Sequence, residues 1–389
     1  MCVPSTPVRK SWTVLVYVVA DHRDIPADEV AARIDQIAHD EVDNILWAAD
    51  LSRVNVAVQV DFSHEPGVLR VIATGRGIER TVLPEQDAGR TETFINFIRE
   101  TAPDCPADHY LFLLWGHGEG PIGFFADAHG DGVLSEGDKT LSLPELETVL
   151  AFAASSEGFG QKVDILLGKS CSLATIEAAY QLKDHVELMV CSQAIVPIKA
   201  WRYGDIFKAL GPDVETTART LLKALDRQYQ LPGATGGRSE VPYSIIKPSR
   251  LDGLSAMMQA LSQALAQAGV DLQKAPLLDA LASARRPISD ASLLDLGAFC
   301  AQLAKLPSLG SAAAAAEILA LLASSESPVL ERSPAGTAFH GISAFYLPPP
   351  RLRRFSFGSE VTTFDYKKLA VCDSTGWDRV AFAADGASA

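Results

Sequence analysis

Cys171 and His117 are the two residues of this chain whose side chains could together perform nucleophilic catalysis. A cysteine attacks a carbonyl carbon as the thiolate, and a neighbouring imidazole can take the thiol proton and return it to a leaving amine. The two residues are 54 positions apart (171 − 117), so only the fold can unite them. Taken singly, each is more often structural, an inert buried thiol or a loop imidazole. The case for chemistry therefore depends on their meeting.

Each of the two residues follows a segment that is predicted to be a strand. These segments are 110–115, which is wholly apolar, and 163–167, and a helix is predicted between them at 141–154. Two parallel strands joined through a helix form a right-handed crossover, and their carboxyl ends share one sheet edge. Open α/β sheets build their sites at that edge. We therefore expect His117 and Cys171 to meet there.

Two local features would assist a thiol at position 171. A helix is predicted at 172–183, directly after Cys171, and the positive end of a helix dipole favours a thiolate. Gly118 leaves its own backbone N–H unobstructed. That N–H and the N–H of Cys171 could therefore both donate to a developing oxyanion.

The pattern of the remaining segments predicts an α/β fold. Further strands are predicted at 12–19, 54–62, 68–73, 186–191 and 243–247, and further helices at 27–50 and 91–100. Such alternation predicts a mostly parallel sheet sandwiched by helices. Residues 249–325 are rich in Ala and Leu and are predicted to be largely helical, with a late strand at 341–347.

Three parts of the chain are expected. A core at 1–248 carries the site, a helical subdomain follows at 249–335, and the segment 336–389 packs back on the core. The Gly-rich segment 231–240 is expected to be a flexible loop.

The composition is that of an ordinary globular protein and argues against several partners. Of 389 residues, 48% are hydrophobic and 21% charged, and the formal net charge is −14. Nucleic acids and anionic membrane surfaces require basic faces, so neither is expected as a partner. The first hydrophobic run, 14–20, is too short to span a bilayer.

The cysteines indicate the compartment. All six are scattered, with no C-x-x-C pair and no metal-ligand spacing. In a chain of this length, that pattern favours reduced thiols over a disulfide framework. Residues 1–12 lack the apolar segment of a secretion signal. We therefore expect a cytoplasmic protein without a metal site.

In its motifs the chain resembles the clostripain family, peptidase family C11 of the caspase-like clan CD of cysteine peptidases. The similar stretches keep the family's order and cover nearly the whole chain. They are W-T-V-L-V-Y (12–17), L-L-W-G-H-G (113–118), C-S-L-A-T-I-E-A-A-Y (171–180), S-Q…P…W-R-Y (192–203), S-L-L-D-L-G-A-F (292–299), H-G-I-S-A-F-Y-L-P (340–348) and G-W-D (376–378). Each stretch is weak alone, but the ordered set is specific.

The resemblance implies a caspase-like fold and endopeptidase activity on protein or peptide substrates. It implies a catalytic dyad of Cys171 and His117, and it implies substrate contacts for Ser192, Gln193 and Trp201. In such enzymes the thiolate attacks the scissile carbonyl and forms a thioester, while the imidazole protonates the leaving amine. For Trp201, packing in the core is an equal alternative.

Cofactors and activation are less defined by the sequence. No cofactor is expected, although some relatives bind calcium and one loop of this chain is crowded with suitable side chains, Asp127, His129, Asp131, Glu136 and Asp138. These residues do not follow the EF-hand spacing, and a solvated acidic loop is the alternative. Relatives can be cleaved into two chains during maturation, and 231–240 is one place where this could occur. An upstream activator is possible, but the sequence does not indicate one.

Two departures from the family change the predicted specificity. The family pattern D-A-C before the nucleophile is here K-S-C, with Lys169, and the pattern P-G-D-G-W is here P-I-K-A-W, with Lys199. Members with both acids resemble Arg/Lys-specific peptidases. Two lysines reverse the sign of such a pocket, so we predict cleavage after Asp or Glu.

Three alternatives remain. Lys169 could serve only to favour the thiolate of Cys171, with Lys199 a solvated loop residue. Specificity for Arg or Lys could come from acids that the sequence does not identify. The third alternative is not an enzyme but a catalytically silent scaffold with the same fold. The joint presence of His117, Gly118 and Cys171 argues against it.

Overall fold

The strands of the chain form one large sheet and one small sheet. The computed structural model describes residues 7–21, 29–65, 67–118, 120–125, 140–236, 240–267, 280, 283–284, 292–334, 339–346 and 366–381. The strands are β1 Lys10–Val19, β2 Val54–Asp61, β3 Val68–Thr74, β4 Gly77–Leu83, β5 Ala107–Trp115, β6 Val163–Lys169, β7 Val186–Ser192, β8 Tyr243–Ile246, β9 Leu293–Asp295, β10 Val329–Ser333 and β11 Ser343–Phe345. The α-helices whose bounds are described are α1 Glu29–Ala48, α2 Thr91–Thr101, α3 Leu143–Ala154, α4 Ile176–Gln181, α5 Tyr203–Ala209, α6 Val214–Tyr229, α7 Leu251–Gln267, α8 Leu296–Leu303, α9 Ala312–Leu322, α10 Ala370–Thr375 and α11 Asp378–Ala381.

The large sheet has nine strands in the order β10-β8-β7-β6-β5-β1-β2-β3-β4. Its five central strands, from β7 to β2, run parallel, and the strands at both edges are antiparallel to their neighbours. This architecture confirms the predicted α/β fold with helices on both faces. Strand β4 was not predicted, because nearly all of its residues are exposed and its sequence lacks the apolar pattern of a buried strand.

Helices cover both faces of the sheet, which explains why its central strands are apolar throughout. In β1, alternate side chains enter two different apolar clusters. Val14, Val16 and Val18 pack on the face that carries α1, α5 and α6. Leu15 and Tyr17 pack on the opposite face, against α2, α3, α4 and the C-terminal helices.

Strands β5 and β6 are direct parallel neighbours, paired from Leu111 with Ile165 to Trp115 with Lys169. Helix α3 lies between them in sequence and begins with a capping box of Ser142 and Glu145. The predicted crossover is therefore confirmed. His117 and Cys171 each lie two residues beyond the last paired residue of their strand (117 − 115 and 171 − 169).

The prediction of a helix directly after Cys171 is wrong. Helix α4 begins at Ile176, five positions later (176 − 171), with Thr175 as its N-cap. Ser172 has a positive φ of 56°, which no α-helical residue adopts. The assistance expected from a helix dipole at the thiol is therefore absent from the described geometry.

The C-terminal half is largely helical, as predicted, with a short late strand at β11. Strand β11 pairs with β9 in a small antiparallel sheet. Strand β10 pairs with β8 and extends the large sheet, although its residues fall within the segment 249–335 that was expected to be a helical subdomain. Trp377 is wholly buried and donates from Nε1 to the carbonyl oxygen of Phe345 at 2.8 Å. Of the helices described, none has both the length and the apolar character needed to cross a bilayer.

Candidate active site

A mainly apolar cleft of about 360 Å³ opens at the tips of β5 and β6. The residues that line it are Trp115, Gly116, His117, Lys169, Cys171, Ile195, Val196, Pro197, Ile198, Lys199 and Gly236. Both residues of the predicted dyad are among them. The parallel pairing of two neighbouring strands thus brings together side chains that are 54 positions apart in sequence (171 − 117).

Gly118 allows the histidine loop to lie directly on the cysteine loop. A Cβ atom at this position would lie 2.6 Å from the carbonyl oxygen of Cys171 and 3.1 Å from the ring of Phe124. Both distances are shorter than ordinary contacts, and the first is to backbone. Any side chain at position 118 would therefore separate the loops that carry His117 and Cys171.

The segment after Cys171 is a tight turn that is fixed to the end of β7. Ser172 donates its N–H to the carbonyl oxygen of Ala194 at 3.1 Å, and Ala174 donates to that of Ser192 at 2.9 Å. The left-handed conformation of Ser172 costs energy for a residue with a Cβ atom, and such conformations concentrate at functional sites. This turn presents Cys171 at its tip.

The sulfur of Cys171 lies against the backbone of Val196. The N–H of Val196 donates to Sγ at 3.3 Å, and Sγ lies 3.8 Å from the carbonyl oxygen of the same residue. An N–H directed at sulfur stabilises negative charge that develops there. The cleft wall 195–199 thus supplies a polar contact to the thiol that the sequence did not indicate.

His117 is set up to be neutral. Burial lowers the pKa of His117 from 6.5 to about 4. At neutral pH the imidazole is therefore uncharged and can accept a proton. This is the state that a base needs in order to activate a thiol.

Lys169 is buried and paired with a residue that the sequence analysis did not identify, Glu41. The Nζ atom of Lys169 lies 2.7 Å from Oε1 of Glu41, and the two side chains are 0% and 1% exposed. Burial lowers the pKa of Lys169, and the charge of Glu41 opposes that shift. Nζ also lies 4.5 Å from the ring centroid of Trp115 and 5.3 Å from that of Trp201.

Lys199 differs from Lys169 in its surroundings. It is half-buried on the cleft wall. No carboxylate within the described ranges is paired with it. Of the two lysines that the sequence placed in a substrate pocket, only Lys199 thus offers an uncompensated charge.

Comparison with known families decides what kind of protein this is. The model of the clostripain family, Peptidase C11, matches residues 30–340. The chain belongs to the clostripain family. It is therefore a cysteine peptidase, a hydrolase acting on peptide bonds, and the resemblance stated from its motifs is confirmed.

Solved structures of C11 peptidases share the fold of this clostripain-family chain. A secreted C11 cysteine protease from Bacteroides thetaiotaomicron, in complex with an irreversible peptide inhibitor, is 19% identical with a TM-score of 0.63, over 95% of this chain and 100% of that one. An inactive zymogen C11 protease from Parabacteroides distasonis is 16% identical with a TM-score of 0.59, over 95% and 99%. The caspase-like fold is thereby confirmed. None of the curated proteins compared with the chain matches it.

Three residues that the resemblance assigned to substrate contact are not among the described residues that line the cleft. Ser192 Oγ accepts from the N–H of Ala194 at 3.1 Å. Trp201 is 3% exposed and donates from Nε1 to the hydroxyl of Tyr229 at 3.1 Å. The Gln193 amide is also hydrogen-bonded inside the protein, so the polar groups of all three side chains have partners within the fold.

Gln193 instead joins the end of β7, beside the Cys171 turn, to the C-terminal half. Its Nε2 donates to Asp295 Oδ2 at 3.0 Å and to Ser343 Oγ at 2.9 Å, and its Oε1 accepts from the N–H of Gly341 at 2.8 Å. Asp295 also accepts from the N–H of His340 at 2.7 Å. Every one of these groups is buried or partly buried, so the network is a structural connection.

Sequence reasoning missed Glu41, although a signal was present. Ile34, Ala38 and Ile45 form the buried stripe of α1, and position 41 continues their spacing of three and four residues. An acid at such a position requires a buried partner. Which partner it has is decided by a contact across 128 positions (169 − 41), which no local pattern reveals.

Metal binding stays a prediction. The five side chains considered for calcium, at positions 127–138, lie outside the described residues. Within the described ranges, no group of three or more His, Cys, Asp or Glu could hold a metal ion.

Proposed function

We propose that this clostripain-family peptidase is an endopeptidase in which Cys171 is the nucleophile and His117 its catalytic partner. The observation that carries the proposal is that both side chains line one cleft at adjacent strand tips. The neutral imidazole accepts the thiol proton, and the thiolate attacks the scissile carbonyl. His117 then protonates the leaving amine, and water hydrolyses the resulting thioester.

The backbone around Cys171 supports the charge changes of this reaction. The N–H groups of Gly118 and Cys171 are our candidates for the oxyanion hole, because the two loops are in contact. The N–H of Val196 supports negative charge on sulfur.

We further propose that the enzyme prefers Asp or Glu before the cut and disfavours Arg and Lys. Lys199 supports this preference, because it lines the cleft, and no acid is among the described lining residues. An Arg side chain would lack a partner there, whereas a carboxylate could pair with Lys199. Lys169 no longer supports the preference, because Glu41 already neutralises it.

A panel of fluorogenic peptides that differ only in the residue before the cut tests both proposals. We expect turnover by the wild type, fastest with Asp or Glu, and no turnover by Cys171→Ala. Faster cleavage after Arg, or after an apolar residue, would contradict the acidic preference while leaving the dyad intact. Labelling by a thiol-reactive peptide probe that persists in Cys171→Ala would instead favour the silent scaffold.

A cytoplasmic location remains a proposal. It rests on the cysteines, since all five within the described ranges are free thiols and four are buried. Fractionation of cells that express the full chain would test it, and recovery of the protein outside the cytoplasm would overturn it. The description of a relative as secreted applies to that relative.

A further inference from the structure

We propose that Glu41 is a specificity-determining residue, which sets the charge of the substrate pocket by cancelling that of Lys169. This inference rests on the proposed peptidase function and deepens it. Glu41 touches no substrate, since its side chain is 1% exposed. It acts through Lys169, whose residue lines the cleft beside Cys171.

The position of Glu41 is defined by three contacts, one from the end of β6 and two from residues at or just before the start of α5. Its Oε1 pairs with Lys169 Nζ at 2.7 Å, from the end of β6. The same oxygen accepts from the N–H of Trp201 at 2.8 Å, and Oε2 accepts from the hydroxyl of Tyr203. A carboxylate held in this way cannot turn away from the lysine.

The charge balance of the pocket follows from these contacts. Lys169 and Lys199 contribute two positive charges, and Glu41 removes one, so the pocket retains a single positive charge at Lys199. Because the pair is buried, removing either partner leaves a charge that water screens poorly. The pair is neutral only as long as both members are present.

The two single substitutions therefore have opposite consequences for specificity. We define the acid-to-base ratio as kcat/KM for a peptide with Asp before the cut divided by that for the same peptide with Arg. Glu41→Gln leaves Lys169 uncompensated and should raise this ratio by about tenfold or more. Lys169→Met leaves Glu41 uncompensated and should lower it by about the same factor.

The double variant keeps the test decisive if the single variants fail to fold. An unpaired buried charge is strongly destabilising, whereas removal of both charges is often tolerated. Glu41→Gln/Lys169→Met should keep the ratio within about threefold of the wild type. If Lys169 itself paired with substrate carboxylates in the wild type, the double variant would instead lose its preference for Asp.

Two control variants separate this effect from general disturbance. Asp43→Asn removes an exposed ion pair with Arg80 from the same helix, two positions after Glu41, and should leave the ratio unchanged. Lys199→Met should abolish the preference for Asp in the wild type and in the double variant, where no other uncompensated lysine is left in the pocket. Thermal unfolding of each variant shows whether it is folded.

The same charge effect can be measured by binding, without any cleavage of the peptides. In a Cys171→Ala background, calorimetry with the uncleaved Asp and Arg peptides gives the corresponding quotient of affinities, which should shift in the same directions. Opposite shifts in the two single variants, together with an unchanged ratio in the double variant, support the inference. Unchanged ratios or shifts in the same direction in the single variants, or loss of the Asp preference in the double variant, overturn it. If the wild type cleaved none of the peptides but the affinities of the variants followed the expected order, only the proposed dyad would be refuted, and the role of Glu41 would stand.

Discussion

Val196 directs its backbone N–H at Sγ of Cys171, 3.3 Å away, from a chain segment that also forms one wall of the cleft at the strand tips. In the proposed mechanism, binding of a substrate along that wall and activation of the Cys171 thiol are therefore coupled. A movement of the wall that admits a larger substrate would also move a donor away from sulfur. The contact is made by backbone, so only substitutions that change the backbone can remove it.

Removing that donor should lower activity. Val196→Pro lacks the N–H, and we expect kcat/KM to fall by about tenfold to a hundredfold, the value of a charge-assisted hydrogen bond. Val196→Ala keeps the N–H and should retain most activity with a modest loss of stability. Steady-state kinetics on one peptide measure both, and equal losses in the two variants would contradict the role of the donor.

Enlarging Gly118 should separate the two loops of the site. In Gly118→Ala the new methyl group would lie 2.6 Å from the carbonyl oxygen of Cys171, so one loop must shift. We expect about a hundredfold loss of kcat, because displacements of an ångström have such effects on aligned groups. Gly253→Ala is the matched control, since nothing lies within 4 Å of its added atom. Full activity of Gly118→Ala would show that the loops need not touch.

The buried imidazole should make stability depend on pH. The unfolded chain binds a proton on His117 near pH 6.5, but the folded chain does so only near pH 4, because burial lowers that pKa to about 4. Lowering the pH from 7 to 5 therefore favours unfolding, by about 2 kcal/mol from this residue. In His117→Gln this part of the loss should be absent, while all other histidines contribute equally.

Urea unfolding of the wild type and of His117→Gln, each at pH 7 and at pH 5, measures the difference. The folded state of the variant should lose less stability over this interval. Identical losses would mean that His117 is protonated as easily in the folded chain as in the unfolded one.

Breaking the Gln193 network should weaken the link between the nucleophile region and the C-terminal half. Gln193→Ala leaves Asp295 and Ser343 with unmade hydrogen bonds inside the protein. We expect a loss of about 2–4 kcal/mol in the free energy of unfolding. Gln36→Ala removes an exposed hydrogen bond to Asp40 and should change the stability very little. A similar small effect of Gln193→Ala would mean that water or neighbouring groups replace the amide.

The sequence predicted the features that depend on local pattern. Strands β5 and β6 are mainly apolar, and parallel strands joined through a helix end at the same edge of a sheet, so the meeting of His117 and Cys171 followed. The helix expected after Cys171 failed for the opposite reason. Residues of this segment favour a helix locally, but the hydrogen bonds to Ala194 and Ser192 hold it in a turn.

The charge of the pocket could not be predicted from sequence, because it depends on a pair. The sequence drew attention to Lys169, but the charge of this lysine in the pocket depends on Glu41, with which it is paired. The prediction from sequence counted both Lys169 and Lys199 as positive charges of the substrate pocket. The acid that neutralises Lys169 lies on the buried face of α1, but its contact with the lysine joins residues 128 positions apart (169 − 41) and cannot be read from a local stretch of sequence.

The order in which the ribosome makes the partners of the Glu41–Lys169 pair has a consequence for the newborn chain. The acid is synthesised 128 residues before the lysine (169 − 41), roughly ten seconds at common elongation rates, so it is ready when the cation appears. Gly236, which also lines the cleft, follows Cys171 by 65 residues (236 − 171). In the proposed mechanism, a nascent chain therefore carries its nucleophile before the whole lining of the cleft has been synthesised, and proteolysis has to await that later part of the chain.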